Sequence, residues 1–112
     1  MNDHLERIKR FIQDRPTLEA ANRDPERLLY LLTAEVKEFT DAVRGEPTEN
    51  QHKEWLDIYW FVLSIAILWE IDIDGVFDAK FQRNSRKYRV EDFQEGSYAE
   101  AVAKIRREWT ED

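Results

Sequence analysis

The chain has 112 residues, 42% hydrophobic and 37% charged, with a formal net charge of −7 and no cysteine. The length suits a single domain over 1–112, and the missing thiols exclude disulfides and thiolate metal sites. The acidic balance argues against polymeric nucleic acid as a partner but leaves a small phosphorylated ligand open, because a cation can mediate that contact.

Only three glycines and three prolines punctuate the chain, too few for a many-stranded sheet. Apolar residues recur at helical spacing almost throughout, so the expected fold class is all-α. The first predicted helix covers Asp3 to Asp14 and stops before Pro16, with Leu5, Ile8, Phe11 and Ile12 as its apolar stripe. The N-terminus is charged and lacks the apolar core of a signal peptide. A short helical stretch is expected from Thr17 to Asn22. The second main helix starts cleanly, with Asp24 as N-cap and Pro25 at the first helical position, and runs to Arg44 with Gly45 as its stop.

The third starts near Thr48, where T-E-N-Q fits a capping box, and continues to about Ile71. The fourth follows Asp72 or Asp74 and reaches about Tyr88. The last starts at Ser97, where S-Y-A-E is a second capping box, and ends near Trp109. The acids of E-I-D-I-D-G-V-F-D have calcium-loop spacing, but Phe81 stands where that loop needs a bidentate Glu. The segment reads instead as a helix–helix turn with Asp caps.

The second and third helices are each about 20 residues, or ~30 Å long. A five-residue connection centred on Pro47 makes them an antiparallel hairpin, with the other helices flanking it. The apolar run Trp55 to Trp69 falls short of the ~20 residues of a membrane span, so no membrane partner and a cytoplasmic location are expected. The third helix is apolar nearly all round, the pattern of a helix buried on every side. A chain of this size cannot surround it. A second subunit is expected to cover one face, completing a four-helix-bundle-like core in a homodimer or homotetramer.

The acids within these helices are not scattered. On a wheel of about 100° per residue, Glu35 lies amid the stripe of Leu28, Leu31, Phe39 and Ala42, with Glu38 at its edge. On the third helix Glu54, Asp57 and Ser64 share one face, and Asp57 is the only charge between Trp55 and Trp69. Each helix thus offers two carboxylates one turn apart. An E-x-x-E alone is usually a solvated face. Two such pairs on inward faces of adjacent helices must be protonated, paired with bases or joined by a cation. An all-oxygen site suits Mg²⁺ or Mn²⁺ better than Zn²⁺. The fourth helix carries the opposite charge: Lys80, Arg83, Asn84 and Lys87 form one stripe, with Phe77, Phe81 and Tyr88 expected to pack it. His52 points away from the acids and lacks zinc-motif spacing. The tryptophans are more often core or interface than base-stacking platforms, though Trp55 or Trp60 near the acids could touch a base.

In this order the elements resemble the MazG-type all-α nucleotide pyrophosphohydrolases, whose pattern is E-E-x-x-E, a spacer, then E-x-x-D. Here A-E-V-K-E (Ala34 to Glu38) precedes E-W-L-D (Glu54 to Asp57), and I-D-I-D-G-V-F-D-A-K-F-Q-R-N-S-R-K resembles the family's next helix. Ala34 replaces the first Glu. The resemblance, over about residues 25 to 88, implies Mg²⁺-dependent hydrolysis of a (deoxy)nucleoside triphosphate to monophosphate and pyrophosphate, as in nucleotide-pool cleaning. It implies metal-holding, catalytic roles for Glu35, Glu38, Glu54 and Asp57, and phosphate-chain binding by Lys80, Arg83, Asn84 and Lys87. Family members form dimers or dimers of dimers. Two alternatives stand beside it: a non-catalytic helical oligomer with a decayed site, and a phosphoribosyl-ATP pyrophosphohydrolase-like enzyme.

Overall fold

The computed structural model describes residues 3–45 and 47–109. Met1 and Asn2 of the N-terminal segment, Glu46 of the hairpin connection and the last three residues lie outside them. Every regular element among the described residues is helical: α1 (Asp3–Gln13), α2 (Pro16–Ala21), α3 (Pro25–Gly45), α4 (Thr48–Leu68), α5 (Ile73–Lys87), a 3-10 turn (Val90–Phe93) and α6 (Tyr98–Glu108). The all-α expectation holds, and only the 3-10 turn was not foreseen.

The caps explain the boundaries. Asp24 Oδ1 accepts the N–H groups of Glu26 (3.1 Å) and Arg27 (3.4 Å), so α3 starts where a carboxylate satisfies otherwise orphaned donors. Ser97 Oγ accepts the Glu100 N–H at 3.1 Å and starts α6 in the same way. The Glu100 carboxylate turns to accept from that serine hydroxyl at 3.2 Å. The capping box expected at Thr48 does not form. Pro47 is the N-cap, with extended backbone, and its carbonyl accepts from Asn50 (3.0 Å) and Gln51 (3.2 Å). Thr48 is therefore already helical, because the fixed φ of proline sets the entry one residue earlier.

Helix α4 ends at Leu68, short of the expected Ile71. The Glu70 N–H donates to Ile67 O (3.2 Å) and the Ile71 N–H to Ala66 O (2.9 Å). That is the Schellman pairing, which needs a left-handed residue after the C-cap. Glu70 takes that position with φ 51°. Nothing in its residue type announces the stop, since glycine is the usual occupant.

The chain divides into two compact units, Met1–Asp72 and Ile73–Asp112. In the first, α3 and α4 pack along one another as a long hairpin, and α1 packs on both α4 and α2. Ile8 and Ile12 of α1, Leu28 and Ala42 of α3, and Leu63 and Ala66 of α4 are buried. Ser64 is buried too, its hydroxyl donating to Trp60 O at 2.9 Å, so its polarity is answered within its own helix. In the second unit the 3-10 turn packs on α6. Asp92 ties them: it accepts from Lys104 Nζ (2.7 Å) and Arg89 Nε (3.1 Å).

A chain of this size does not surround α4: Trp55, Val62 and Trp69 are each about half exposed within the protomer. One packing expectation is not met. Phe77, Phe81 and Tyr88 do not pack α5: all three are exposed, the two phenylalanines stacking on each other at 5.9 Å. Among its described residues the second unit buries only Lys87, Ala101 and Ile105, since so short a segment cannot cover that many rings.

Candidate metal centre

The hairpin brings Glu35 and Glu38 of α3 together with Glu54 of α4. Each offers a carboxylate oxygen within 4.8 Å of the others. Spacing i, i+3 sets the first two one turn apart, and the antiparallel return of the chain supplies the third. Glu35 and Glu54 are half-buried and Glu38 is exposed, so the cluster opens outward through Glu38. The Oε2 atom of Glu35 is closed to solvent and has no hydrogen-bond partner among the described residues.

Two carboxylates about 4 Å apart repel by about 4 kcal/mol at an effective dielectric near 20. Holding a proton on an ordinary carboxyl at neutral pH costs roughly 3 kcal/mol. The two are close enough that one proton stays near pH 7. It falls to Glu35, whose carboxyl is raised from 4.5 to about 7. Desolvation is the leading cause, followed by the hydrogen bond with Glu38 and then the charges of Glu38, Asp57 and Glu54. Three carboxylates with one orphaned buried oxygen fit a hard divalent cation, which takes oxygen ligands and would discharge the repulsion.

Asp57 does not join the three. It was expected to point inward, yet its side chain is exposed in the protomer. One turn beyond Glu54 on α4, it reaches the site through its charge on Glu35. The helical wheel set it on one face with Glu54 and Ser64, but a wheel does not contain the neighbouring helices that decide which level of that face is covered.

The basic stripe of α5 is less uniform than its spacing implies. Lys80 is exposed, Arg83 and Asn84 are half-buried, and Lys87 is buried. The Arg83 guanidinium lies 5.2 Å from the Trp109 ring centroid, and the Lys87 ammonium 5.4 Å from that of Tyr88. These cations are engaged by aromatic faces of their own unit, which the wheel could not disclose.

A second constellation escaped the sequence reading. His4 Nδ1 and the Tyr59 hydroxyl share a hydrogen bond at 3.0 Å, and Trp55 stacks on Tyr59 at 5.6 Å. Trp60 meets Phe11 edge to face. The signal was present, since His4, Arg7, Ile8 and Phe11 lie at i, i+3, i+4 and i+7. Comparison with family models, curated proteins and solved structures finds no match to this chain.

Proposed function

We propose that the protein is a Mg²⁺-dependent nucleotide pyrophosphohydrolase, converting a (deoxy)nucleoside triphosphate to the monophosphate and pyrophosphate. The observation that carries the reading is the meeting of Glu35, Glu38 and Glu54 across the hairpin, each within 4.8 Å of the others. The motif resemblance supplies the reaction. When bound, a divalent cation polarises the scissile phosphate and acidifies a water. Glu35, Glu38 and Glu54 would hold it, and Mn²⁺ fits the same oxygen set. Asp57 adds charge at the exposed edge. Lys80, Arg83, Asn84 and Lys87 are proposed to bind the phosphate chain, with the exposed Lys80 the cation least committed to its own unit.

The active form is proposed to be a homodimer or homotetramer. Leu29, Val36 and Val43 on α3, and Trp55 and Val62 on α4 with Trp69 at its C-cap, are exposed apolar ladders at intervals of seven. On the wheel they stand about 80–120° from Glu35 and about 60–100° from Glu54 in the same sense, which in an antiparallel hairpin puts them on one side. Seven-residue apolar repeats are the seam of helices that pack side by side. A second hairpin would complete a four-helix core there.

The test is pyrophosphate release from common and modified nucleotides with Mg²⁺, comparing the wild type with Glu54→Gln and Asp57→Asn. Turnover lost in Glu54→Gln supports the site. Absence of turnover on every nucleotide would favour the non-catalytic oligomer, and selective hydrolysis of phosphoribosyl-ATP the third reading.

A further inference from the structure

Helix α4 is a wall of two different sites. Its Glu54 meets the acids of α3, while Leu56, Tyr59 and Trp60, about 140–240° round the helix from Glu54, line a cavity against α1. We propose that this cavity binds a small planar aromatic anion, its ring against Phe11, Tyr59 and Trp60 and its acid group on Arg7.

The cavity, about 420 Å³, falls in the range of small-molecule sites, roughly 300–1,000 Å³. Its aromatic walls are fixed before any ligand arrives. Phe11 and Trp60 meet edge to face, with centroids 5.2 Å apart and planes at 89°. The Arg15 guanidinium lies 3.6 Å from the Phe11 ring centroid while donating to Phe11 O at 2.9 Å, which steadies that wall. Tyr59 is held from two sides, by the Trp55 ring at 5.6 Å and by His4 Nδ1 at 3.0 Å. Walls held in this way lose little freedom on binding, so less of the contact energy is spent on ordering.

Arg7 decides the charge of the ligand. It lines the cavity, yet makes no hydrogen bond or ion pair among the described residues. A planar fork of donors beside an aromatic slot fits a planar acid, which can accept two parallel hydrogen bonds while its ring stays in the slot. The polar residues gather at one end, with His4 and Arg7 on the same face of α1. That gives the ligand one orientation.

The test is titration of the whole protein with naphthalene-2-carboxylate and with its uncharged analogue naphthalene-2-methanol, followed by calorimetry and by amide NMR shifts. The carboxylate is expected to bind saturably with Kd below about 1 mM, and to move amides of α1 and α4. Arg7→Ala is expected to weaken it about tenfold, Arg7→Lys by less, and neither to alter binding of the alcohol. Arg7 is exposed, and circular dichroism checks that the variants fold. Absence of saturable binding, equal affinity for the two probes, or carboxylate binding untouched by Arg7→Ala would overturn the proposal. So would a change in oligomer mass on Arg7→Ala, which would assign the cavity to a second copy of the chain.

Discussion

Glu35 and Glu38, one turn apart on α3, place their carboxyls within hydrogen-bonding reach, so the pair shares a proton where two charges would repel. In the unfolded chain the Glu35 carboxyl titrates near 4.5, and in the folded protein near 7. The folded state therefore binds the extra proton between those values, and stability of the metal-free protein falls as pH rises through that window. Below it both states are protonated, and above it the loss is complete. Glu35→Gln removes the dependence. Urea titrations from pH 4 to 8 are expected to show the variant gaining on the wild type across the window, reaching on the order of 2 kcal/mol once solvent screening is allowed for.

The same proton must leave when a cation enters. At pH 6.5, Mg²⁺ or Mn²⁺ binding is expected to release about three-quarters of a proton, measured by calorimetry in buffers of different ionisation enthalpy. Apparent affinity should climb about tenfold per pH unit below 7 and level off above it. Glu35→Gln should bind more weakly and release no proton. Binding without proton release in the wild type would separate the cation from the Glu35–Glu38 pair.

Glu70 holds the left-handed position that ends α4, at φ 51°. A side chain there costs about 1 kcal/mol that glycine does not. Glu70→Gly is expected to raise stability by about 0.5–1 kcal/mol, read as a higher urea midpoint at unchanged m-value. A loss of stability would mean that the Glu70 side chain is itself used.

In the second unit the Asp92 carboxyl is held below its usual 3.8, first by the hydrogen bond from Lys104 and then by that from Arg89. A lowered carboxyl stabilises the fold above its ordinary range, and that contribution is lost as pH falls through the lower folded value. Asp92→Asn should speed hydrogen exchange in the 3-10 turn and α6 at neutral pH. The difference from the wild type should shrink on acidification. Exchange in α3 and α4 serves as the internal control.

What could be seen in the sequence follows from how local each signal is. The starts of α3 and α6 were legible because Asp24 and Ser97 carry their own capping oxygens. The carboxylates of Glu35, Glu38 and Glu54 could be placed on facing helices because periodicity and one short connection suffice for that. The end of α4 was hidden, since Glu70 adopts a conformation its residue type disfavours. The exposure of Asp57 and the stacking of Arg83 on Trp109 depend on neighbours distant in sequence, which a single-helix wheel does not contain.

Helix α4 has one more property that follows from its apolar girth. A helix with a single greasy stripe is oriented by burying it. A helix greasy on all sides gains nearly the same from any rotation about its axis, so burial alone leaves its angular setting undefined. Polar groups must index it. Two are placed to do so: Glu54, turned toward Glu35 and Glu38, and Tyr59, bonded to His4. They lie on different flanks, five residues apart in the sequence, and rotating α4 to improve one would break the other. The few polar side chains on this helix thus act as its compass, and the aromatic rings between them take their bearings from it.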